Sequence, residues 1–210
     1  MANIITITKV LGPVATNCYI VGNTDTREAV IIDPADEAGR IIDLLKKENF
    51  KPVAILLTHG HFDHISGLPG LKKEYPDVKV YIGKDDKDVI SNPILNVSAM
   101  FGTSVSMEAE EFVQENDVLD MLGTSIKCIH VPGHTKGGMC YYFEEEKIVF
   151  SGDTLFEYSI GRSDFPTGDG RALIDNIKIK LFALPEDVIV YSGHGDRTTI
   201  GREKRENPYF

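Results

Sequence analysis

Short apolar stretches separated by polar turns open the chain and predict β-strands. Residues 3–10 (NIITITKV) alternate apolar and polar side chains with a period of two, as in a strand with one buried face. Residues 17–23 (NCYIVGN) and 28–34 (EAVIIDP) contain several β-branched side chains, and the second segment ends at a proline. We therefore expect three short strands at the start of the fold, joined as hairpins.

The following segments switch between helical and strand-like spacing. Residues 36–49 (DEAGRIIDLLKKEN) carry apolar side chains at helical spacing, with acids early and lysines late, and predict a helix. Further along we predict a strand at 52–58, a helix within 64–76, a strand at 78–83 and a short helix near 85–90. The remainder of residues 84–116 shows no clear period, and we expect a loop there.

The second half of the chain repeats this rhythm. We predict strands at 125–131 (SIKCIHV), 138–144 (GMCYYFE), 147–153 (KIVFSGD) and 188–193 (VIVYSG), with a solvated turn at the acidic residues 144–146. Residues 170–184 (GRALIDNIKIKLFAL) have the amphipathic spacing of a helix. Hairpins followed by alternating strands and helices indicate a layered α/β fold with mixed sheets. No linker interrupts the chain, so we expect residues 1–210 to form a single domain.

Four of the predicted strands are followed directly by a side chain that can bind a metal ion. The runs VAILLT, IKCIHVPG, KIVFSG and VIVYSG lead into His59, His134, Asp153 and His194. In sheet-containing α/β folds, ligands bind beyond the ends of the strands, where loops converge on a rigid frame. Four such endings, from distant parts of the chain, predict one convergent site. His130, which lies inside a strand-like run, is instead expected to be structural.

The first of these loops adds further donors, because THGHFDH supplies His59, His61, Asp63 and His64. With the three later residues, the chain offers seven candidate ligands of imidazole and carboxylate type, which suit zinc, iron or manganese. Seven donors exceed the needs of one tetrahedral ion. They match two ions about 3.5–4 Å apart that share a carboxylate and leave room for water.

Together, the motifs T-H-x-H-x-D-H, P-G-H-T, S-G-D-T and S-G-H resemble the metallo-β-lactamase superfamily of hydrolases. The resemblance extends from the opening strands to His194. It implies a four-layer αββα sandwich of two mixed β-sheets flanked by helices, with the site at one edge of the sheets. It also implies the ligand sets, in which His59, His61 and His134 hold metal 1, Asp63, His64 and His194 hold metal 2, and Asp153 bridges the two ions.

Within the superfamily, GDTLFEYSIGRSDFPTGD and YSGHGDRTTIGREKRENP resemble the glyoxalase II branch, the hydroxyacylglutathione hydrolases. This implies hydrolysis of an acyl thioester such as S-D-lactoylglutathione by hydroxide held between two divalent ions, zinc first, with iron or manganese as alternatives. Asp63 is the catalytic candidate, because it can orient the attacking water. The predicted substrate contacts are Arg162, Lys204 and Arg202.

Two features depart from that branch. Only residues 195–210 follow His194, so we expect no separate C-terminal substrate-binding domain of the kind that holds glutathione in the longer enzymes. Asp196 stands where the branch has a tyrosine that contacts the substrate. Both departures weaken the inference of glutathione as the thiol carrier more than they weaken the inference of metal chemistry.

Three other functions remain open. GRSDF also resembles the persulfide dioxygenases of the superfamily, which would use one iron on His59, His134 and Asp153; their last motif reads H-D, whereas this chain has His194-Gly195. A lactonase, a β-lactamase or another ester hydrolase can use the same site, since hydroxide attacks any accessible acyl carbon. A metal-binding module without turnover is the third possibility, and the complete ligand set argues against it.

Composition narrows the choice of partners. The formal net charge of −10 makes nucleic acid and anionic membranes poor partners, and a small-molecule substrate is expected.

No apolar run reaches the roughly 18 residues that span a bilayer. The N-terminus does not have the form of a signal peptide, and Cys18, Cys128 and Cys140 are expected to be buried thiols. These features predict a cytoplasmic location, and they leave the oligomeric state open.

Overall fold

The computed structural model describes residues 2–210, and two six-stranded sheets form its frame. The strands of the first sheet are β1 (Ile4–Leu11), β2 (Thr16–Asn23), β3 (Glu28–Ile32), β4 (Lys51–Leu57), β5 (Lys79–Gly83) and β6 (Glu111–Val113). They lie side by side in chain order. The pairs β1–β2 and β2–β3 are antiparallel, and the pairs from β3 to β6 are parallel. The sheet is therefore mixed, as predicted.

The second sheet is built from the later part of the chain. Its strands are β7 (Val118–Met121), β8 (Thr124–His130), β9 (Met139–Phe143), β10 (Ile148–Gly152), β13 (Ile189–Ser192) and β14 (Thr198–Thr199). They lie in the order β14-β13-β10-β9-β8-β7, and only the β10–β13 pair is parallel. A small antiparallel hairpin, β11 (Leu155–Phe156) with β12 (Ser159–Ile160), follows β10.

Short helices connect and cover the sheets. They are α1 (Ala38–Lys47), α2 (Phe62–Ile65), α3 (Leu68–Glu74), α4 (Lys87–Ser91), α5 (Gly170–Asn176) and α6 (Ile200–Glu206). Single 3-10 turns occur at Lys84–Asp86 and Ser98–Phe101. Between residues 2 and 210, none of the helices has both the length and the apolar character that crossing a membrane requires.

Three apolar clusters divide the molecule into four layers. Val30 and Leu56 of the first sheet are buried with Tyr141 and Phe150 of the second, which makes the central cluster an inter-sheet core. A second cluster joins the outer face of the first sheet to α1 and α3, and a third joins the outer face of the second sheet to α5. Burial of these faces is the main driving force for the arrangement. The predicted αββα sandwich is confirmed.

Most of the predicted elements are present, with differences in the irregular regions. The predicted helix at 170–184 consists of α5 followed by a π-helical turn, Ile177–Leu181. Leu173, Ile177 and Leu181 recur at every fourth residue and are all buried, and the wider turn keeps them on one line against the sheet. The short strands β6, β7, β11, β12 and β14 and the helix α6 were not predicted, since they lack periodic apolar side chains.

Candidate metal centre

The seven predicted ligands meet at one edge of the two sheets. His59 follows β4, His134 lies in the loop after β8, Asp153 follows β10, and His194 follows β13. Because β10 and β13 are parallel neighbours, with Gly152 opposite Ser192, their carboxyl ends deliver Asp153 and His194 side by side. The convergence that the strand endings predicted is therefore found.

Three histidines form a first group with closely spaced ring nitrogens. His134 Nε2 lies 3.2 Å from His59 Nε2 and 2.9 Å from His61 Nδ1. All three side chains are buried. A tetrahedral zinc ion with bonds of about 2.0–2.1 Å separates its nitrogen ligands by about 3.3 Å. The spacing in this group is thus close to that of three ligands on one ion.

A second group combines one carboxylate with two imidazoles. Asp63 Oδ2 lies 3.3 Å from His194 Nε2 and 3.5 Å from His64 Nε2. The ligand atoms of these three residues lie within 4.8 Å of one another, as they do in the first group. The helix α2 places Asp63 and His64 next to each other, and it begins directly after His61. The segment from His59 to His64 therefore supplies ligands to both groups.

The carboxylate of Asp153 lies between the two groups. Its Oδ1 is 3.4 Å from His64 Nε2, and its Oδ2 is 3.6 Å from both His134 Nε2 and His194 Nε2. It thus contacts members of each group from one position. A carboxylate placed in this way is suited to bridge two ions.

Two buried atoms of the cluster test whether a cation fits. His64 Nε2 and Asp153 Oδ1 are buried and, like His61 Nε2, have no hydrogen-bond partner among residues 2–210. Leaving a buried polar atom without a partner costs about 1–3 kcal/mol, so native proteins rarely do so. His64 Nε2 and Asp153 Oδ1 lie 3.4 Å apart within the cluster, where a divalent cation would satisfy them. The donor set therefore fits a metal ion.

Burial also keeps the first group ready to bind a cation. It lowers the pKa of His59 well below the usual value, lowers that of His61 to about 3, and lowers that of His134. Neighbouring imidazoles add to this effect at each position, because two positive rings repel each other. These three histidines are therefore neutral at physiological pH, and their lone pairs are available as ligands.

Charge pairing dominates in the second group. Burial alone lowers the pKa of His64, but the carboxylates of Asp63, Asp153 and Asp33 outweigh burial and raise it well above the usual value. Burial likewise opposes ionisation of Asp63, yet the charges of His64 and His194 lower its pKa to about 2. In the metal-free protein His64 is therefore protonated, and Asp63 and Asp153 beside it are ionised.

Hydrogen bonds to the outer ring nitrogens fix how three of the histidines point. His134 Nδ1 donates to the Arg162 carbonyl oxygen at 2.7 Å, and His64 Nδ1 lies 2.9 Å from Asp33 Oδ2. His59 Nδ1 is 3.1 Å from Thr58 Oγ1, which donates to the same Asp33 oxygen at 2.6 Å. Such contacts orient the rings and leave Nε2 free toward the metal. Asp33 and Thr58 therefore fix the orientation of the His59 and His64 rings.

A fourth carboxylate, Asp86, was not predicted, although it joins the two loops that carry the first group. Its Oδ2 accepts from the Gly60 amide at 3.0 Å and from Thr135 Oγ1 at 2.8 Å, and its Oδ1 accepts from the Gly137 amide at 2.7 Å. The side chain is fully buried, which raises its pKa to about 6 despite these donors. No sequence motif distinguishes Asp86 from the acidic residues beside it.

Two glycines allow the backbone to approach Asp153. A Cβ atom at Gly161 would lie 1.7 Å from the Asp153 carbonyl oxygen, and one at Gly193 would lie 2.2 Å from Asp153 Oδ1. Real Cβ atoms do not come so close, so any other residue would displace the carboxylate or its backbone. Gly193, the glycine of the S-G-H motif, is therefore required for the observed position of the Asp153 carboxylate.

The cluster opens into a cavity of about 400 Å³ with mainly apolar walls. Arg162, the predicted substrate contact, lines this cavity; its guanidinium stacks 3.8 Å from the centre of the Phe165 ring and donates twice to Asp164. Arg202 and Lys204 are not among the lining residues. Arg202 instead donates to Glu157 and stacks on Tyr158, because α6 packs its side chain against the β11–β12 turn.

His130, expected to be structural, lies outside the cluster. Its Nε2 is 2.9 Å from the Lys136 carbonyl oxygen, and its backbone carbonyl accepts from Lys180 Nζ at 2.6 Å. The residue thus ties β8 to neighbouring segments. The three cysteines are likewise buried free thiols, as expected.

Comparison with known proteins places this geometry in a family. The profile of the metallo-beta-lactamase superfamily matches residues 11–194. The hydroxyacylglutathione hydrolase GloC of Haemophilus influenzae is 39% identical over 198 residues, which cover 92% of each chain. The structure of the BLEG-1 B3 metallo-beta-lactamase superposes with a TM-score of 0.93 at 38% identity, covering 98% of this chain and 99% of that one. A di-iron-bound form of TTHA1623 superposes with a TM-score of 0.84 at 34% identity, covering 97% of this chain and 100% of that one. The chain belongs to the metallo-beta-lactamase superfamily.

Proposed function

We propose that the protein is a two-metal hydrolase that adds water to an acyl carbon, with a thioester as substrate. The observation that carries the proposal is the position of Asp153 between two groups of three donors. In this assignment His59, His61 and His134 hold one ion, Asp63, His64 and His194 hold the other, and Asp153 bridges them. The relative TTHA1623, described in a di-iron-bound form, supports two ions and adds weight to iron as an alternative to zinc.

Asp63 has a separate role beside the proposed ions, which is to orient the attacking water. Two divalent cations, when bound, lower the pKa of a water molecule toward 7 and polarise a carbonyl group. Asp63 is ionised, and Thr16 Oγ1 donates to its Oδ2 at 2.9 Å, which fixes the plane of the carboxylate. Asp63 can accordingly accept a hydrogen bond from the attacking water and orient it toward the substrate.

The lining of the cavity favours a thioester over an amide. Apart from the proposed metal ligands, the side chains that line it are apolar except for Ser159 and Arg162, so no lysine, tyrosine or cysteine stands ready to protonate a leaving group. A thiolate, whose conjugate acid has a pKa near ~8.5, leaves without such help. Similarity to GloC, named as a hydroxyacylglutathione hydrolase, points to the same bond. S-D-lactoylglutathione is therefore the first substrate to test.

Hydrolysis of a β-lactam is the second candidate, because BLEG-1 is described as a metallo-beta-lactamase. The expelled nitrogen of an amide requires a proton, and the cavity supplies no donor for it beyond the ligand residues. We therefore expect slower turnover of β-lactams than of thioesters. A faster rate on a β-lactam would reverse this order.

The test is hydrolysis of S-D-lactoylglutathione by the metal-loaded chain, followed by thiol release. We expect turnover that chelation abolishes, that re-addition of metal restores, and that Asp63→Ala lowers by at least about 100-fold, the lower range for loss of an acid–base group. His130→Ala, which removes a histidine outside the cluster, is the matched control and should retain activity. Fully metal-loaded protein that cleaves no acylated thiol would contradict the proposal, and oxygen consumption on glutathione persulfide would support the dioxygenase instead.

A further inference from the structure

A second cavity adjoins the one that holds the metal cluster. Its volume is about 480 Å³, and it shares Val14, Phe62, Asp63 and Phe101 with the first cavity. It lies between the β1–β2 turn, the residues just before α1 and the segment after the 3-10 turn Ser98–Phe101. The two cavities therefore meet at Asp63, where the acyl carbon of a substrate would be attacked, and they offer one compartment for each arm of the substrate.

Aromatic and aliphatic side chains stand exposed where the cavities meet. Phe101 is 58% exposed and Val14 is 38% exposed, and the Phe101 ring lies 4.8 Å from that of the buried Phe62. Isolated exposed apolar side chains are common on protein surfaces. Here, however, they are grouped around a concave site, which is typical of a surface that binds an apolar ligand.

The charges of the two cavities differ. Asp36 and Asp63 are the charged side chains that line the second cavity, and the rest of its lining is apolar or neutral. Arg162, the basic residue of the pair of cavities, lines the first one only. Asp63 lines both cavities, so the difference in charge comes from Asp36 and from Arg162, which also pairs with Asp164. A substrate arm that bears carboxylates is therefore disfavoured beside Asp36 and fits better beside Arg162. An uncharged apolar arm is not repelled by Asp36, and Leu11, Val14 and Val105 offer it apolar contacts in the second cavity.

We propose that the second cavity is an acyl subsite, which holds an uncharged apolar acyl group against Phe101 and Phe62 while the thiol carrier extends toward Arg162. The inference rests on the proposed thioester hydrolysis and adds the class of acyl group. Burial of one methylene group is worth about 0.8 kcal/mol, or about fourfold in binding. Rates should thus rise with the length of the acyl chain until the cavity is full.

The experiment compares acetyl, butanoyl and hexanoyl thioesters of glutathione on the metal-loaded full chain. In the wild type, kcat/KM is expected to rise about fourfold per added methylene that enters the cavity. Phe101→Ala should lower kcat/KM for the hexanoyl thioester about tenfold more than it lowers kcat/KM for the acetyl thioester, and Phe101→Leu should recover part of the difference. Ile179→Ala is the matched control, because Ile179 is 71% exposed and lines neither cavity.

A charged acyl group tests the same subsite from the other side. A glutaryl thioester carries a carboxylate at the end of its acyl chain, so the wild type should cleave it more slowly than the hexanoyl thioester. Asp36→Asn removes one of the two acids and should raise the ratio of the glutaryl rate to the hexanoyl rate several-fold. The selective response separates a role in specificity from a change in folding.

The outcomes distinguish this inference from the proposed function. Equal kcat/KM values along the acyl series, or an equal loss for every acyl length in Phe101→Ala, would overturn the acyl subsite and leave the thioesterase intact. Absence of hydrolysis for every member of the series, with metal bound, would overturn both proposals.

Discussion

Replacement of Asp86 by asparagine tests whether one buried carboxylate sets the spacing of the first group of ligands. Asp86 joins the loop of His59 and His61, through the Gly60 amide, to the loop of His134, through Thr135 and the Gly137 amide. Asparagine has the same shape but only one acceptor oxygen. At least one of the three donors would then face an amide nitrogen and lose its partner.

The size of the effect follows from these contacts. A buried donor without a partner costs about 1–3 kcal/mol, and each remaining hydrogen bond loses the contribution of the charge, about 1 kcal/mol. With one donor lost and two hydrogen bonds weakened, we therefore expect Asp86→Asn to lower the free energy of unfolding by about 3–5 kcal/mol. Most domains, with about 5–15 kcal/mol of stability, still fold after such a loss. Affinity for one metal ion should fall by about 10–100-fold, as for other residues that orient ligands.

The assay is chemical denaturation of the metal-free protein, combined with metal titration of the folded protein. Asp88→Asn is the matched control, because the exposed Asp88 pairs with Lys136 at 2.7 Å and thus links nearly the same segments at the surface. An exposed pair contributes about 0–1 kcal/mol, so the control should change little. If Asp86→Asn lost no more stability and no more metal affinity than Asp88→Asn, the proposed role of Asp86 would be refuted.

Two further predictions concern the cluster itself. Gly193→Ala should remove at least one bound ion, measured by elemental analysis after dialysis, because its Cβ would lie 2.2 Å from Asp153 Oδ1; Gly39→Ala, where a Cβ meets open space, should retain both ions. Acid should destabilise the metal-free protein, because the pKa of His61 in the folded state is about 3 and its usual value is 6.5. Above pH 6.5, His61 is neutral in the folded and in the unfolded protein, so it does not make stability depend on pH. As the pH falls from 6.5 toward 3, only the unfolded protein binds a proton at His61, and the free energy of unfolding declines by about 1.4 kcal/mol per pH unit. Between pH 7.5 and 5.5, denaturation of the wild type should therefore lose about 1.4 kcal/mol more stability than that of His61→Gln, and equal losses would contradict the assignment.

The layered fold and the convergence of the ligands could be predicted because both are encoded locally. Strands such as β4 and β10 are continuous apolar runs, and a metal ligand follows each run within a few residues. Since the parallel neighbours β10 and β13 present their carboxyl ends at one edge, the positions of Asp153 and His194 in the sequence largely determine their positions in the site. The same reasoning predicted that His130, which lies within a strand, would not belong to the cluster.

The rest of the site depends on contacts that the sequence does not encode locally. Asp86 becomes important only because folding buries it against two distant loops, and nothing in its own segment indicates this. Phe101 lies in a stretch without apolar periodicity, so its place beside the cavity could not be inferred. Arg202 was predicted to contact the substrate from its motif alone, yet the direction of a helical side chain depends on packing, and α6 directs Arg202 to Glu157.

The most direct test of the account is a metal titration of the metal-free chain coupled to thioester hydrolysis. We predict that two divalent ions bind per chain, that cleavage of S-D-lactoylglutathione or a longer acyl thioester requires them, and that Asp153→Ala reduces both binding and turnover. One bound ion per chain with full activity, or hydrolysis that persists after complete chelation, would contradict the two-metal mechanism.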